Sequence, residues 1–157
     1  PQGVAQANNA NCVIATDGAK MALAIECAST SSYTAVQFRN GSAQVGNIVT
    51  TGSATAFNTS SDHRLKENVD YTWDATTRLK QLKPARFNFI ADETNTLVDG
   101  FIAHEAATVV PESVTGEKDA VDGDGNPEYQ GIDQSKLVPL LVKTIQELEA
   151  RITALES

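Results

Sequence analysis

A regular apolar repeat near the C-terminus constrains the fold of this chain more than any other feature. The repeat has a 3-4-3-4-3 spacing and consists of Val138, Leu141, Ile145, Leu148, Ile152 and Leu155. This spacing is an a/d seam of about two and a half heptads, and it predicts a helix over 134–156. So short a helix seldom stands alone in water, so we expect it to pack against partner chains or against its own domain. Ile at a with Leu at d favours two strands in parallel coiled coils, but the seam is too short to fix the number of chains.

The charge of the chain changes abruptly near residue 60. Residues 1–60 hold two acidic and two basic residues, so the whole net charge of −8 falls on residues 61–157. We therefore predict two domains, 1–60 and 61–157. An acidic second half repels phosphate backbones, which argues against nucleic-acid binding. No apolar run approaches the roughly 18 residues of a membrane span, so we expect no membrane insertion.

The first sixty residues are rich in small and polar residues and have little charge. Short apolar segments at 13–16, 21–25 and 35–38 indicate β-strands, and Gly and Asn separate them. Residues 47–60 alternate apolar and small polar side chains, which predicts an extended strand or a hairpin. With so little charge to solubilise them, these strands are interpreted as the end of a β-rich stalk that pairs with copies of itself. A lone β-sandwich fragment is the alternative.

Metal and cofactor sites are not expected. Cys12 and Cys27 form no CxxC pair and have no histidine pair beside them, so they are interpreted as small buried thiols, with a disulfide as the alternative. The loop 122–128 begins with the Asp-x-Asp-x-Asn spacing of a calcium loop, but it has Pro127 at the sixth position and Asp133 at the twelfth. A hairpin turn explains its glycines better.

The predicted domain boundary carries a serine and a lysine five residues apart, Ser61 and Lys66. Taken alone, this spacing is common by chance. Two residues five apart do not share a helix face, so a turn at Asp62-His63 must return Lys66 to Ser61, or the lysine must come from a neighbouring chain. Asp62 is interpreted as the cap of this turn. His63 is interpreted as a polar residue at a helix start, with support of the serine and lysine as the alternative.

The wider context of this pair resembles a known family. The segment 61–69 reads Ser-Asp-His-Arg-Leu-Lys-Glu-Asn-Val and is similar to the opening signature of the peptidase S74 family, the intramolecular chaperone domains of phage endosialidases, tail fibres, tailspikes and neck appendages. Further blocks follow in the family's order, at 79–89, 100–105, 110–114, 129–133 and 137–148. The visible departure is His104, where the family usually has glutamine.

The resemblance implies a fold and a function. The expected fold class is α+β: a β-rich trimeric stalk segment, then a small mixed α/β chaperone domain that ends in a long coiled-coil helix. The implied activity is autoproteolysis between Ser60 and Ser61 by a Ser61–Lys66 dyad, and the implied assembly is a homotrimer joined by the C-terminal seam. The chaperone's client is then the N-terminal fibre portion of the same polypeptide. The protein would be made in the bacterial host cytoplasm for a phage virion, and the chaperone part released after cleavage.

The order of the predicted helices and strands in the rest of the second half indicates a small mixed sheet with helices packed on it. The segments 74–82 and 104–109 indicate helices, and 85–90 and 97–103 indicate strands. Other functions stay open: a trimerisation module that does not cleave, a membrane-bound transcription factor with the same self-cleaving domain, and a glycan-binding or glycan-cleaving tip. Charge, the missing transmembrane segment and the fibre-like start argue against the transcription factor.

Overall fold

The computed structural model describes Leu23, Ile25, residues 30–41 and residues 43–157. The described residues divide into two compact units, the first ending at Val69 and the second formed by Asp70–Ser157. The fold is mixed α/β, with antiparallel sheets and a long C-terminal helix. Cys12, Cys27 and the predicted strand at 13–16 lie outside the described residues. Of the predicted strand at 21–25 only Leu23 and Ile25 are described, and neither is in a strand.

The first unit contains a three-stranded antiparallel sheet in the order β1-β2-β3. Its strands are β1 (Tyr33–Asn40), β2 (Ala43–Thr50) and β3 (Thr55–Thr59). Gly41 lies in the β1–β2 turn at φ 57°, a left-handed conformation in which glycine carries no Cβ penalty. The sheet confirms the predicted strand at 35–38 and the hairpin interpretation of 47–60.

One face of this sheet is apolar and largely open in the single chain. Val36 pairs with Ile48, and Ile48 pairs with Phe57, so the three side chains share a face. Phe57 is 79% exposed. On the opposite face Asn58 Nδ2 donates to Asn47 Oδ1 at 2.8 Å, next to Gln37. The sheet thus has one apolar face without a covering layer among the described residues of its unit.

The second unit alternates short helices and short strands before its long helix. The helices are α1 (Ala75–Leu79), α2 (Ala103–Ala107) and α3 (Val138–Glu156), and the strands are β4 (Ala85–Phe87), β5 (Val98–Gly100), β6 (Val114–Thr115) and β7 (Gly131–Ile132). Short 3₁₀ helices lie at Pro111–Ser113 and Gln134–Leu137. The second of these runs into α3, so the helical segment spans 134–156, and the long C-terminal helix predicted from the heptads is confirmed.

The prediction of one small mixed sheet in this unit was wrong. The strands form two separate antiparallel pairs, β4 with β5 and β6 with β7. The ladders end early because the chain turns away from them. After β4 the loop closes around Asp92, whose carboxylate accepts hydrogen bonds from the backbone N–H groups of Thr94 and Thr96. The four short strands therefore form two separate pairs, each with a ladder of two or three residues.

The core of the second unit is small and lies where α1 meets α3. It consists of Ala75, Val109, Val110, Leu137 and Leu140, with Trp73, Leu79, Leu82 and Phe101 packed against it. Arg78 joins α1 to the segment after α2, because its Nε donates to the Val109 carbonyl at 2.8 Å and its Nη2 lies 3.2 Å from Glu112 Oε1. The core therefore fixes the first turns of α3 and leaves its C-terminal half outside.

Glu147 of α3 also holds the N-terminus of α1. Its carboxylate accepts hydrogen bonds from the backbone N–H of Ala75 at 3.1 Å, and from the N–H and hydroxyl of Thr76 at 2.8 and 2.6 Å. Asp74 caps the same helix end by accepting from Thr77 N. The hydroxyl of Thr76 and these two N–H groups lower the pKa of Glu147 below its usual value. The long helix is thus docked on α1 by polar as well as apolar contacts.

Candidate functional site

Ser60 directly follows β3 and is still attached to β2. Its backbone N–H donates to the Val45 carbonyl at 3.0 Å, and its hydroxyl donates to the Gln44 carbonyl at 3.1 Å. The ladder between β2 and β3 therefore continues one residue past the end of β3. The backbone of Ser60, which carries the carbonyl group before Ser61, is therefore held at the edge of β2 by two hydrogen bonds.

A single 3₁₀ turn separates Ser61 from Lys66. The turn covers His63–Leu65, and Asp62 is its N-cap. Asp62 Oδ1 accepts from the N–H of Arg64 at 2.8 Å, which confirms the capping role predicted for Asp62. Lys66 N closes the turn by donating to the His63 carbonyl at 3.1 Å.

The side chain of Arg64 also binds the carboxylate of Asp62. Its Nε lies 2.9 Å from Asp62 Oδ1 and its Nη2 lies 2.8 Å from Asp62 Oδ2, a two-pronged ion pair. This side-chain contact, together with the backbone bond, lowers the pKa of Asp62 below its usual value. The contact between Arg64 and Asp62 was not predicted from the sequence, where the Asp-x-Arg spacing across a cap was the available signal.

The turn brings the predicted serine and lysine of the same chain together. Lys66 Nζ lies 2.8 Å from Ser61 Oγ and donates a hydrogen bond to it. The two serines at the boundary are therefore in different situations, since the hydroxyl of Ser60 is bonded to a backbone carbonyl and that of Ser61 to an amine. Both Ser61 and Lys66 are exposed in the single chain.

His63 and Asn68 occupy the two ends of this segment. The side chain of His63 is 92% exposed, and its Nδ1 lies 3.6 Å from Asp62 Oδ1. This position fits a polar residue at a helix start. Asn68, three residues after the turn, has φ 51°, a left-handed conformation that asparagine tolerates better than most residues. This conformation was not predicted from the sequence.

This arrangement has the parts for nucleophilic chemistry. A serine hydroxyl becomes an effective nucleophile when a neighbouring base removes its proton. Lys66 is within hydrogen-bond reach of that proton, and it acts as a base when its amine is neutral, as burial or a nearby cation favours. Within the part of the chain that the structure describes, no group of three or more His, Cys, Asp or Glu side chains is placed to hold a metal ion.

Helix α3 presents two different faces. Leu137, Leu140 and Thr144 are 5%, 2% and 3% exposed, and they lie with Glu147 on the face toward the core and α1. The predicted seam lies on another face, and all six of its residues are exposed, from 43% at Leu148 to 87% at Leu155. Packing on its own domain thus uses a face other than the seam.

The loop once compared with a calcium loop is a hairpin turn. Asp122 Oδ1 accepts from the backbone N–H of Asp124 and of Asn126, each at 2.9 Å, and Asn126 Nδ2 lies 3.1 Å from Asp122 Oδ2. Gly125 has φ 84°, and Val121 pairs with Pro127 across the turn. The Asp122 carboxylate is engaged by its own loop, which confirms the turn interpretation.

Comparison with known proteins bears on the boundary motif and the segment after it. The peptidase S74 family model, described as chaperone of endosialidase, matches residues 61–115. No curated protein matches the chain. Among the described residues, no helix has both the length and the apolar character needed to cross a membrane. The motif blocks beyond residue 115 stay predictions, whereas the recognition of the peptidase S74 family, chaperone of endosialidase, is confirmed over residues 61–115 of the chain.

Proposed function

We propose that this chain is the end of a phage tail fibre or tailspike together with its intramolecular chaperone, which trimerises, assists folding of the fibre, and then cuts itself off between Ser60 and Ser61. The single observation that carries the proposal is the 2.8 Å contact between Lys66 Nζ and Ser61 Oγ, located at the first residue of the family match. In this proposal the enzyme is a serine endopeptidase that acts once, on its own chain.

The proposed cleavage proceeds in two steps. In the first, neutral Lys66 takes the hydroxyl proton of Ser61, and Oγ bonds to the carbonyl carbon of Ser60. The bond from that carbon to Ser61 N then breaks as Lys66 returns the proton to the leaving nitrogen, which leaves an ester. In the second step water adds to the ester carbon, the bond to Oγ breaks, and Oγ regains a proton. The products end in a Ser60 carboxylate and begin with a Ser61 amine.

The environments of the two serines support Ser61 as the nucleophile. Ser60 Oγ donates its proton to the Gln44 carbonyl, which is not a base strong enough to remove it. Ser61 Oγ instead contacts an amine that can accept a proton when neutral. The capped turn held by Asp62 and Arg64 keeps Lys66 close to Ser61 without help from a neighbouring chain.

The exposed seam of α3 supports the assembly step. Six apolar side chains in heptad spacing remain uncovered on a helix whose other face is already packed. We propose that three copies bury this face together. Assembly would then hold three stalk ends at high local concentration, which helps strands that pair between chains. Strands interlocked among three chains unfold slowly, so release of the chaperone would leave a kinetically trapped fibre.

Trimerisation also offers a cause for lysine activation. Lys66 is exposed to water in the single chain. We propose that assembly removes water from the dyad and so favours the neutral amine. Cleavage would then begin only after the chains have come together.

Point variants of the dyad test the cleavage. We expect Ser61→Ala and Lys66→Met to give uncleaved chains that still assemble, because neither residue lies in the core or on the seam. Ser53→Ala, a change at another exposed serine, is the control and should cleave like the wild type. Denaturing electrophoresis of fresh protein reports whether the chain is cleaved, and analytical ultracentrifugation reports whether it assembles. A Ser61→Ala chain that still yields a fragment beginning at residue 61 would rule out the dyad.

A second candidate is a trimerisation module that does not cleave. The exposed seam favours it as much as it favours the first candidate, since assembly needs no dyad. The same gel separates them: a wild-type trimer that stays one chain under conditions of full assembly supports the structural module.

A further inference from the structure

Ser60 is more than the residue before the proposed cut. It is bonded to β2 twice, through its N–H to Val45 and through its hydroxyl to Gln44. We propose that Ser60 is a positioning residue for the cleavage: its hydroxyl and amide fix the carbonyl that Ser61 attacks to the edge of β2. This inference rests on the proposed function of the Ser61–Lys66 dyad.

The two bonds restrain a different reacting partner from the one that the dyad restrains. Lys66 and the capped turn restrain the nucleophile, whereas Gln44 and Val45 restrain the acyl group. A carbonyl carried on an unrestrained strand end would sample many orientations. Holding both reacting partners lowers the entropic cost of reaching the attacking geometry.

The restraint exists only while β3 is paired with β2. Gly46 shows how close this pairing is, because a Cβ on that residue would lie 2.7 Å from the carbonyl oxygen of Asn58. Thr59, which is opposite Gly46, and Ser60 follow Asn58 directly, so separation of the strands there would also release Ser60. Cleavage therefore reports that the last strand before the cut has reached its folded register.

Hydroxyl variants of Ser60 test the positioning role in the full chain. We expect Ser60→Ala to cleave about five- to tenfold more slowly than the wild type, the effect of losing one ordinary hydrogen bond in the transition state. Ser60→Thr keeps a hydroxyl and should restore the rate. Thr59→Ala removes a neighbouring hydroxyl that makes no hydrogen bond within the described residues, so it should cleave at the wild-type rate.

The pH dependence of the rate separates positioning from general loosening of the site. Because Ser60→Ala leaves Lys66 and its turn untouched, the rate should fall by the same factor at every pH, and the midpoint of the pH–rate profile should stay in place. A shifted midpoint would mean that the substitution acts through Lys66, and it would overturn the positioning role. Wild-type rates for Ser60→Ala would do the same.

A glycine pair tests the dependence on strand pairing. Gly46→Ala should separate β3 from β2 and slow cleavage more than Ser60→Ala does. Gly123→Ala is the matched control, because a Cβ there meets nothing within 4 Å. Amide exchange of Ser60, measured in the Ser61→Ala background, reports the pairing. Fast exchange with an undiminished cleavage rate in Gly46→Ala would overturn the inference.

Failure of this inference is distinguishable from failure of the proposed function. If wild-type protein cleaves and Ser61→Ala does not, the dyad stands, and the Ser60 and Gly46 variants alone decide the positioning role. If assembled wild-type protein never cleaves, both proposals are overturned together.

Discussion

At the scale of single residues, the boundary motif is a short piece of chain in which most polar side chains have a structural task. Asp62 caps the turn, the side chain of Arg64 holds Asp62 with two hydrogen bonds, and Asn68 adopts a left-handed conformation after the turn. The result is a return of Lys66 to Ser61 over one turn. The motif therefore places its two reactive groups by local bonds, with no long-range contact needed.

A single residue in the core is expected to limit stability. Thr144 is 3% exposed, and its hydroxyl has no hydrogen-bond partner in the described part of the chain. Thr144→Val keeps the shape and removes the unsatisfied group, so we expect the free energy of unfolding to rise by about 1 kcal/mol. Chemical denaturation of a Ser61→Ala chain measures the change.

Thr153→Val is the matched control for this prediction, since Thr153 is exposed on the same helix and its hydroxyl bonds the Glu149 carbonyl. It should leave stability nearly unchanged. A Thr144→Val chain that is less stable than wild type would show that the hydroxyl is satisfied by buried water.

The sequence made part of this site predictable. Asp62 was recognisable as a cap because capping depends on local spacing alone. The bond from Arg64 to Asp62 was missed although its spacing is local, whereas the role of Ser60 was not recognisable, because it depends on a strand partner that precedes it by many residues. Hydrogen bonds to backbone carbonyls, such as that from Ser60 to Gln44, leave no mark on the residue type of the acceptor.

At the scale of elements, α3 has one face that docks on its own unit and another face that stays exposed in the single chain. Leu137, Leu140, Thr144 and Glu147 dock it on its own unit, and the seam residues point elsewhere. A helix of 19 residues gains most of its stability in proteins from packing. Docking of its first half therefore stabilises α3 while its seam stays exposed, and the proposed assembly would bury that seam.

Acid should weaken the contact between α1 and α3 through Glu147. Its pKa is lowered from an ordinary value of 4.5 by bonds from Thr76 and Ala75, so its contribution is complete above that pH and is lost as the pH falls through the lower folded value. Glu147→Gln should reduce the free energy of unfolding near neutral pH, and it should also remove the part of the acid-induced loss of stability that comes from Glu147. Denaturation midpoints between pH 3 and about 7 measure it.

Glu149→Gln is the control, because Glu149 is exposed and lies two residues after Glu147 on the same helix. We expect its stability difference from wild type to be small across this range. If the unfolding midpoints of Glu147→Gln and Glu149→Gln depend on pH in the same way, the loss of stability in acid does not come from the Glu147 bonds.

The elements differ in how far sequence could predict them. Helix α3 was predictable because a repeated spacing marks its face and Asp133 and Gln134 begin the helical segment. The second unit's sheets were not, because β4 and β5 have three residues each and β6 and β7 two. In such short strands the alternation of apolar and polar side chains is too brief to indicate where a strand ends or with which other strand it pairs.

At the scale of the whole molecule, the single chain leaves much apolar surface uncovered. The seam of α3 is exposed in the second unit, and Phe38 and Phe57 are more than half exposed in the sheet of the first. Apolar patches of this kind in a folded chain mark surfaces that bind partners. Under the proposed function, assembly with copies of the same chain would cover these surfaces.

Charge on the seam should prevent assembly. Leu148→Asp with Ile152→Asp places two carboxylates on adjacent seam positions, where burial of unpaired charge is costly. We expect monomers by analytical ultracentrifugation and, because cleavage is proposed to follow assembly, an uncleaved chain. Gln146→Asp with Ala150→Asp has the same spacing on an exposed face outside the seam, and it should assemble and cleave normally. A seam variant that is monomeric and still cleaves would separate the two events.

Intact-mass spectrometry of freshly assembled wild-type protein is the sharpest test of cleavage between Ser60 and Ser61, because it reports both whether the chain is cut and at which bond. We expect two products, one ending in the carboxylate of Ser60 and the other beginning with the amine of Ser61, and their summed mass should exceed that of the intact chain by one water. A single uncut mass from a fully assembled trimer, or a cut at any other bond, would contradict this expectation.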